Sequence, residues 1–190
     1  DQVLKAEWGS DWRRQFKWFT PRPIAAASIG QVHKAMTRDG QELAIKVQYP
    51  GVAKSIDSDV DNVMTLLKVA GFAPPELEMD KLLDAAKKQL HEEADYQREG
   101  EQMKLYREQL ADIPGFVVPE LNEDLTRGSI LAMSFEEGVA IEKLEDEPSE
   151  RRDEIYGNLL ELVSRELFDF GVMQTDPNFA NFLFRPDTGE

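Results

Sequence analysis

A chain of 190 residues with a formal net charge of −15, 41% hydrophobic and 31% charged residues and no cysteine reads as a folded, acidic protein of one domain or one and a half. That charge excludes nucleic acid as a partner, because phosphates require a basic face. The missing cysteines exclude disulfides, thiolate catalysis and zinc–cysteine sites. His33 and His91 are the only two histidines, too few for a histidine-rich metal centre. No apolar run approaches the ~20 residues that cross a bilayer. The opening Asp1-Gln2-Val3 has neither methionine nor the pattern of a signal peptide, and the ending is bare, so the chain reads as a piece of a longer protein.

Trp8, Trp12, Phe16 and Phe19 fall at spacings of four and three, which predicts one helix over residues 3–19 packing its aromatic face on the domain. A membrane-surface helix rimmed by Arg13, Arg14 and Lys17 is the alternative. Thr20-Pro21-Arg22-Pro23 ends it. Ile24 to Val47 reads as two or three strands, with a hairpin at Asp39-Gly40. Val52, Ile56, Val60, Val63, Leu66 and Leu67 predict a helix with Asp57, Asp59 and Asp61 facing elsewhere. Gly71 and Pro74-Pro75 end it.

One long helix is predicted next, from Met79 to Leu110, apolar along Leu82, Leu83, Ala86 and Leu90 and acidic in its second half. The runs at 116–119 and 129–133 read as strands, Ser134–Gly138 as a connector, and 150–169 as a helix with Ile155, Leu159, Leu162, Val163, Leu167 and Phe170 inward. Gly171 suits a helix C-cap. The last stretch is a loop opening into Phe182-Leu183-Phe184.

The chemistry centres on Lys46, in the apolar run Leu43–Val47, where an ammonium needs an anionic partner. Upstream lies Ala25-Ala26-Ala27-Ser28-Ile29-Gly30-Gln31-Val32. Gly30 and Val32 fit the last glycine and the valine of a kinase phosphate loop, while alanine stands at the first two glycines. Phosphoryl transfer needs such a loop, a cation, an anion holding that cation, metal ligands and a base. The anion should come from the long helix, where spacing leaves Glu92, Glu93 and Glu99 open. Asp176 and Asn181 have the D-x-x-x-x-N spacing of a catalytic loop, Asp176 to orient or deprotonate the attacking group and Asn181 to hold magnesium. Asp169-Phe170-Gly171 spells a kinase metal-binding triplet, but it precedes Asp176 and closes an apolar helix; it reads as coincidence, the true triplet being expected beyond Glu190. The connector Ser134, Phe135 and Glu136, with Met133 before it, would meet an adenine base. His33 reads as a hydrogen-bonded structural residue, His91 as a solvated one.

The fold class expected is α+β and protein-kinase-like. A small antiparallel-sheet lobe with inserted helices, residues 1–134 with an insert at about 52–75, precedes the hinge and the start of a truncated helical lobe, 135–190.

Four stretches together resemble the UbiB/ADCK family of atypical, protein-kinase-like proteins linked to ubiquinone biosynthesis. They are Ala25–His33, Ala44–Val52, Glu93-Ala94-Asp95-Tyr96-Gln97-Arg98-Glu99, and Gln174-Thr175-Asp176-Pro177-Asn178 with Asn181. The last is most similar to the branch found in mitochondria and their bacterial relatives. The resemblance implies ATP and Mg2+ as cofactors, Glu99 as the partner of Lys46, and Glu93 as an acidic position that engages an N-terminal K-x-G-Q extension, which this chain lacks. It also implies a protein of the cytoplasm, peripheral on an inner membrane, working with quinone-biosynthesis proteins and a lipid surface. The fragment alone is expected to be inactive. Alanine approaches phosphate less closely than glycine and takes positive φ less readily, so the loop should hold nucleotide differently from an ordinary kinase. A nucleotide-gated lipid- or protein-binding module without turnover is the alternative, and an aminoglycoside-kinase-type phosphotransferase is a third.

Overall fold

The structure, a computed structural model, describes residues 1–71, 79–146, 148–173 and 179–190. The chain forms two compact units, Asp1–Lys104 with Glu120–Phe135 and Leu105–Pro119 with Glu136–Glu190.

The first unit is built on an antiparallel sheet of β1 (Phe16–Phe19), β2 (Ala25–Ala27), β3 (Gly30–Thr37), β4 (Glu42–Gln48) and β5 (Ile130–Ser134). The order is β1-β3-β4-β5, and β2 also pairs with β3. Asp39-Gly40 turns the β3–β4 hairpin as expected, Gly40 taking φ 97°. Side chains alternate along each strand, so Ala35, Leu43, Ile45, Ile130 and Ala132 enter one core.

The single helix expected over residues 3–19 is instead α1 (Gln2–Trp8), a 3-10 turn (Trp12–Gln15) and then β1. The aromatic spacing is compatible with a helix, yet Trp12 and Phe16 also reach the core from a turn and a strand. Trp8 donates its indole N–H to the Leu125 carbonyl at 2.9 Å, which pins α1 to the turn that precedes β5. Trp12 and Phe19 meet edge to face at 4.9 Å between ring centres. With Trp12 and Phe16 buried, this segment has no continuous apolar helical face to offer a membrane.

Helix α2 (Val52–Val69) follows, and α3 (Met79–Glu93) packs on it. The inward stripe of α2 is Ile56, Val60, Met64 and Leu67, whereas Val63 and Leu66 point outward. Two of its aspartates, though still exposed, pair with side chains of α3: Asp57 meets His91 at 3.1 Å and Asp61 meets Lys87 at 2.6 Å. His91 is therefore exposed but paired. On α3, Leu83, Ala86 and Leu90 are half-buried and Leu82 is exposed.

The long helix expected from Met79 to Leu110 breaks at Ala94-Asp95, giving α3 and α4 (Tyr96–Leu110). Asp95 is the cause. Its carboxylate accepts hydrogen bonds from the backbone N–H groups of Gln97 and Arg98, at 3.1 and 3.2 Å, the signature of an N-cap. Residues 116–119, expected as a strand, carry no strand pairing; Leu121 alone bridges to Met133.

The second unit contains α5 (Ser149–Arg165), which passes into a π-helical turn (Glu166–Phe170) closed by Gly171 at φ 64°. Strands β6 (Val139–Ala140) and β7 (Leu183–Phe184) pair beside a small core of Ile141, Leu144, Ile155 and Phe184. The buried stripe of α5 continues onto Glu166, not onto Leu167, which is exposed. Tyr106 donates its hydroxyl to the Glu166 carboxylate at 2.5 Å, and burial first, then that carboxylate, pushes the Tyr106 phenol far above its usual range.

Candidate functional site

Strand β4 fixes which side chains share a face. Leu43, Ile45 and Val47 are buried on one side, so Ala44 and Lys46 emerge on the other. Antiparallel register places Val32 and Leu131 directly across from Lys46, and Lys34 and Met133 across from Ala44. Ala25 in turn lies across from Val32. Lys46 thus stands at one end of a strip of small and apolar side chains, with 19% of its side chain exposed rather than deep in the core. Its ammonium donates to Glu99 Oε1 at 2.8 Å, so among the three glutamates that spacing left open, Glu99 is the one that meets it.

Three local features place Glu99 there. Asp95 starts α4 and so sets its rotational phase. Gln48, buried at the end of β4, donates its side-chain amide to the Ala94 carbonyl at 2.6 Å and so ties the α3–α4 joint to the strand carrying Lys46. Gly100 then lets α4 lie close to the sheet, since a Cβ there would sit 2.9 Å from a Leu121 methyl and 3.4 Å from one of Leu131. Sequence reasoning assigned no role to Gln48 or Gly100. A polar side chain ending a buried strand and a glycine inside a helix were the available signals.

The alanine-rich loop is a short hairpin. Ala25, Ala26 and Ala27 pair with Val32, Gln31 and Gly30, leaving Ser28 and Ile29 at the turn. No non-glycine residue among those described has positive φ, so the three alanines sit in extended backbone that alanine adopts without strain. Gly30 is needed for closeness: a Cβ there would lie 2.4 Å from the Val47 carbonyl oxygen. Ser28 donates its hydroxyl to Glu93 Oε1 at 2.7 Å, which ties the loop tip to the end of α3. Ile29 accepts the backbone N–H of Tyr49 at 2.9 Å.

The connector begins where β5 ends. The N–H groups of Ser134 and Phe135 already donate to the carbonyls of Glu120 and Glu42, at 2.8 and 3.0 Å, so those two donors are not open to an adenine edge. Lys34 lies 3.8 Å above the Phe135 ring. Glu136, in the second unit, forms an ion pair with Arg185. Ala44, paired with Met133, is a member of the apolar strip absent from the sequence expectation.

Asp176 lies outside the described residues. Asn181 closes a 3-10 turn, Phe179–Asn181, in the second unit. Asp169-Phe170-Gly171 closes the helix after α5, with Asp169 3.5 Å from Arg165. Among the described residues, no group of three or more His, Cys, Asp or Glu side chains is arranged to hold a metal. His33 is buried, with Nδ1 2.8 Å from the Thr20 carbonyl, matching the structural role expected for it.

Residues 1–189 match the family described as the ABC1 atypical kinase-like domain. The chain is 43% identical over 189 residues to the atypical kinase coq-8, mitochondrial, of Caenorhabditis elegans, covering 98% of this chain and 25% of that protein. It is 39% identical over 188 residues to the atypical kinase COQ8, mitochondrial, of Saccharomyces cerevisiae, covering 99% and 38%. Among solved structures, the complex of Rv3197 with erythromycin from Mycobacterium tuberculosis superposes with a TM-score of 0.83 at 30% identity, over 98% of this chain and 48% of that one. The chain therefore spans well under half the length of these curated relatives. With the strand lysine, its glutamate partner and the alanine-rich hairpin in place, the chain belongs to the ABC1 atypical kinase-like family.

Proposed function

We propose that this chain carries the nucleotide-binding half of an ATP-dependent atypical kinase or ATPase that supports ubiquinone biosynthesis. The observation that carries the reading is the 2.8 Å ion pair between Lys46 and Glu99, set at the end of the strip formed by Ala25, Val32, Ala44 and Met133. An ammonium that gives one N–H to a carboxylate still has donors left for phosphate oxygens. The strip of small and apolar side chains suits one face of an adenine ring, which binds through apolar contact while a few polar groups fix its orientation. The hairpin of Ala25–Ala27, Ser28, Ile29 and Gly30 would cover the phosphates. Ser134, Phe135 and Glu136 would flank the base, through carbonyls rather than through the N–H groups of the first two. Asp176 would serve the attacking group, and Asn181 with the phosphates would hold Mg2+, which neutralises developing charge when bound.

A peripheral position on a membrane is part of the same proposal; among the described residues no helix is long and apolar enough to cross a bilayer. The test is ATP affinity in the presence of magnesium. Lys46→Ala should weaken it by roughly 10- to 100-fold, the worth of a charge-assisted hydrogen bond; equal affinity would sink the reading. ATP binding without phosphate release above an Asp176→Asn control would favour a nucleotide-gated module that does not turn over.

A further inference from the structure

Tyr96 is the largest fully buried side chain among the described residues, yet its hydroxyl has no hydrogen-bond partner among them. A buried phenol left unpaired gains nothing from its hydroxyl, so the ring has to account for its place. Burial and the nearby carboxylates of Glu99 and Glu93 hold it protonated far above the usual phenol range, so it does not serve as an anion. Its ring has a clear neighbour: the Lys46 ammonium lies 4.8 Å from the ring centre. Tyr96 and Glu99 are three residues apart in the first turn of α4, hence on the same face. One helical turn therefore offers Lys46 both a carboxylate and the negative face of a π-system. The Tyr96 backbone N–H donates to the Gly128 carbonyl at 3.2 Å, and Asp95 caps the turn, so the ring's position is fixed from its own main chain.

We infer that Tyr96 is a positioning residue for Lys46, its ring face holding the ammonium against the helix while Glu99 aligns one N–H. A carboxylate alone defines one direction and leaves the four-carbon stem free to swing about it. The ring closes off that swing and leaves the remaining ammonium donors aimed away from α4. The hydroxyl is not part of the device. The inference rests on Lys46 being the phosphate-holding cation only for its consequence in nucleotide binding.

The test measures acylation of the Lys46 amine by succinimidyl acetate in the full chain, quantified by peptide mass spectrometry, with no nucleotide present. Tyr96→Phe keeps the ring face, so labelling should stay within about two-fold of the parent and thermal stability should not fall. Replacing Tyr96 with 3,4,5-trifluorophenylalanine keeps ring shape but withdraws its π density. Labelling of Lys46 should then rise by roughly 2- to 30-fold, the span of cation–π attraction, and Tyr96→Leu should do the same if it folds. Labelling indifferent to fluorination overturns the inference, because a packing role alone would not sense ring electronics. A rise in Tyr96→Phe equal to the fluorinated case also overturns it, by moving the effect to the hydroxyl. ATP affinity of the parent and of Lys46→Ala is measured in parallel. If Lys46 proves irrelevant to ATP, the nucleotide reading fails while the labelling series still decides the role of Tyr96.

Discussion

His33 shows how one buried side chain writes a pH dependence into the sheet. Burial pushes its pKa below the usual 6.5, more strongly than its contact with the Thr20 carbonyl raises it. The unfolded chain therefore binds a proton that the folded chain refuses. The contribution to stability is full above about pH 6.5 and is lost as pH falls through the lower, folded pKa. Urea unfolding of the parent and of His33→Gln between about pH 7 and 5 should show a shallower loss on the acid side in the variant. Parallel pH profiles would mean that His33 is not the titrating group. The tilted stack of Phe19 on His33, 5.1 Å between ring centres, is part of the same burial.

Glycines carry the predictions at the scale of elements. At Gly30 the obstacle to a side chain is the Val47 backbone carbonyl, which cannot rotate away. Gly30→Ala should cost roughly 1–3 kcal/mol in denaturant unfolding, as overpacking does, and should weaken ATP binding by displacing the alanine-rich hairpin. At Gly100 the obstacle is a Leu121 methyl, which can move. Gly100→Ala should therefore be mild, its clash offset by alanine's better helix propensity of about 1 kcal/mol. Gly100→Val should separate α4 from the sheet and impair nucleotide binding with the Lys46–Glu99 contact. Similar behaviour of Ala and Val at 100 would show that close approach is not what the glycine supplies. Much of this layer was legible in the chain: the Asp39-Gly40 hairpin, the strands from Ala25 to Gln48 and the closure of the π-helical turn at Gly171 all follow local rules. The break at Asp95 was not, because an aspartate within an acidic run reads equally as helix surface and as helix cap; only its bonds to Gln97 and Arg98 decide. Glu166 was missed for a related reason. Periodicity assigns inward positions to apolar residues, and a carboxylate satisfied by Tyr106 breaks that rule.

For the whole molecule, the dominant quantity is charge. At −15 the folded chain repels itself, and the exposed ion pairs between α2 and α3 relieve little of this. Screening should help the compact state. Raising NaCl from ~10 to ~150 mM shortens the Debye length from about 30 to about 8 Å and should raise the melting temperature by a few degrees. A salt-independent melt would argue that local pairing already balances the surface. The choice of Glu99 over Glu92 and Glu93 belongs to this scale too. Spacing along one helix could not make it; family resemblance pointed to Glu99, and the tertiary placement of α4 explains it.

The joint at Ala94-Asp95 has a further meaning for how this chain can vary. Because Gln48 clamps the joint and Asp95 restarts the winding, Glu99 behaves like the hand of a clock set at that point. Adding or deleting one residue between Asp95 and Glu99 would turn that hand by about 100° and leave the Lys46 ammonium facing a different side of the helix. The spacing from cap to carboxylate is thus a dimension as fixed as a bond angle, however freely Gln97 and Arg98 between them are exchanged.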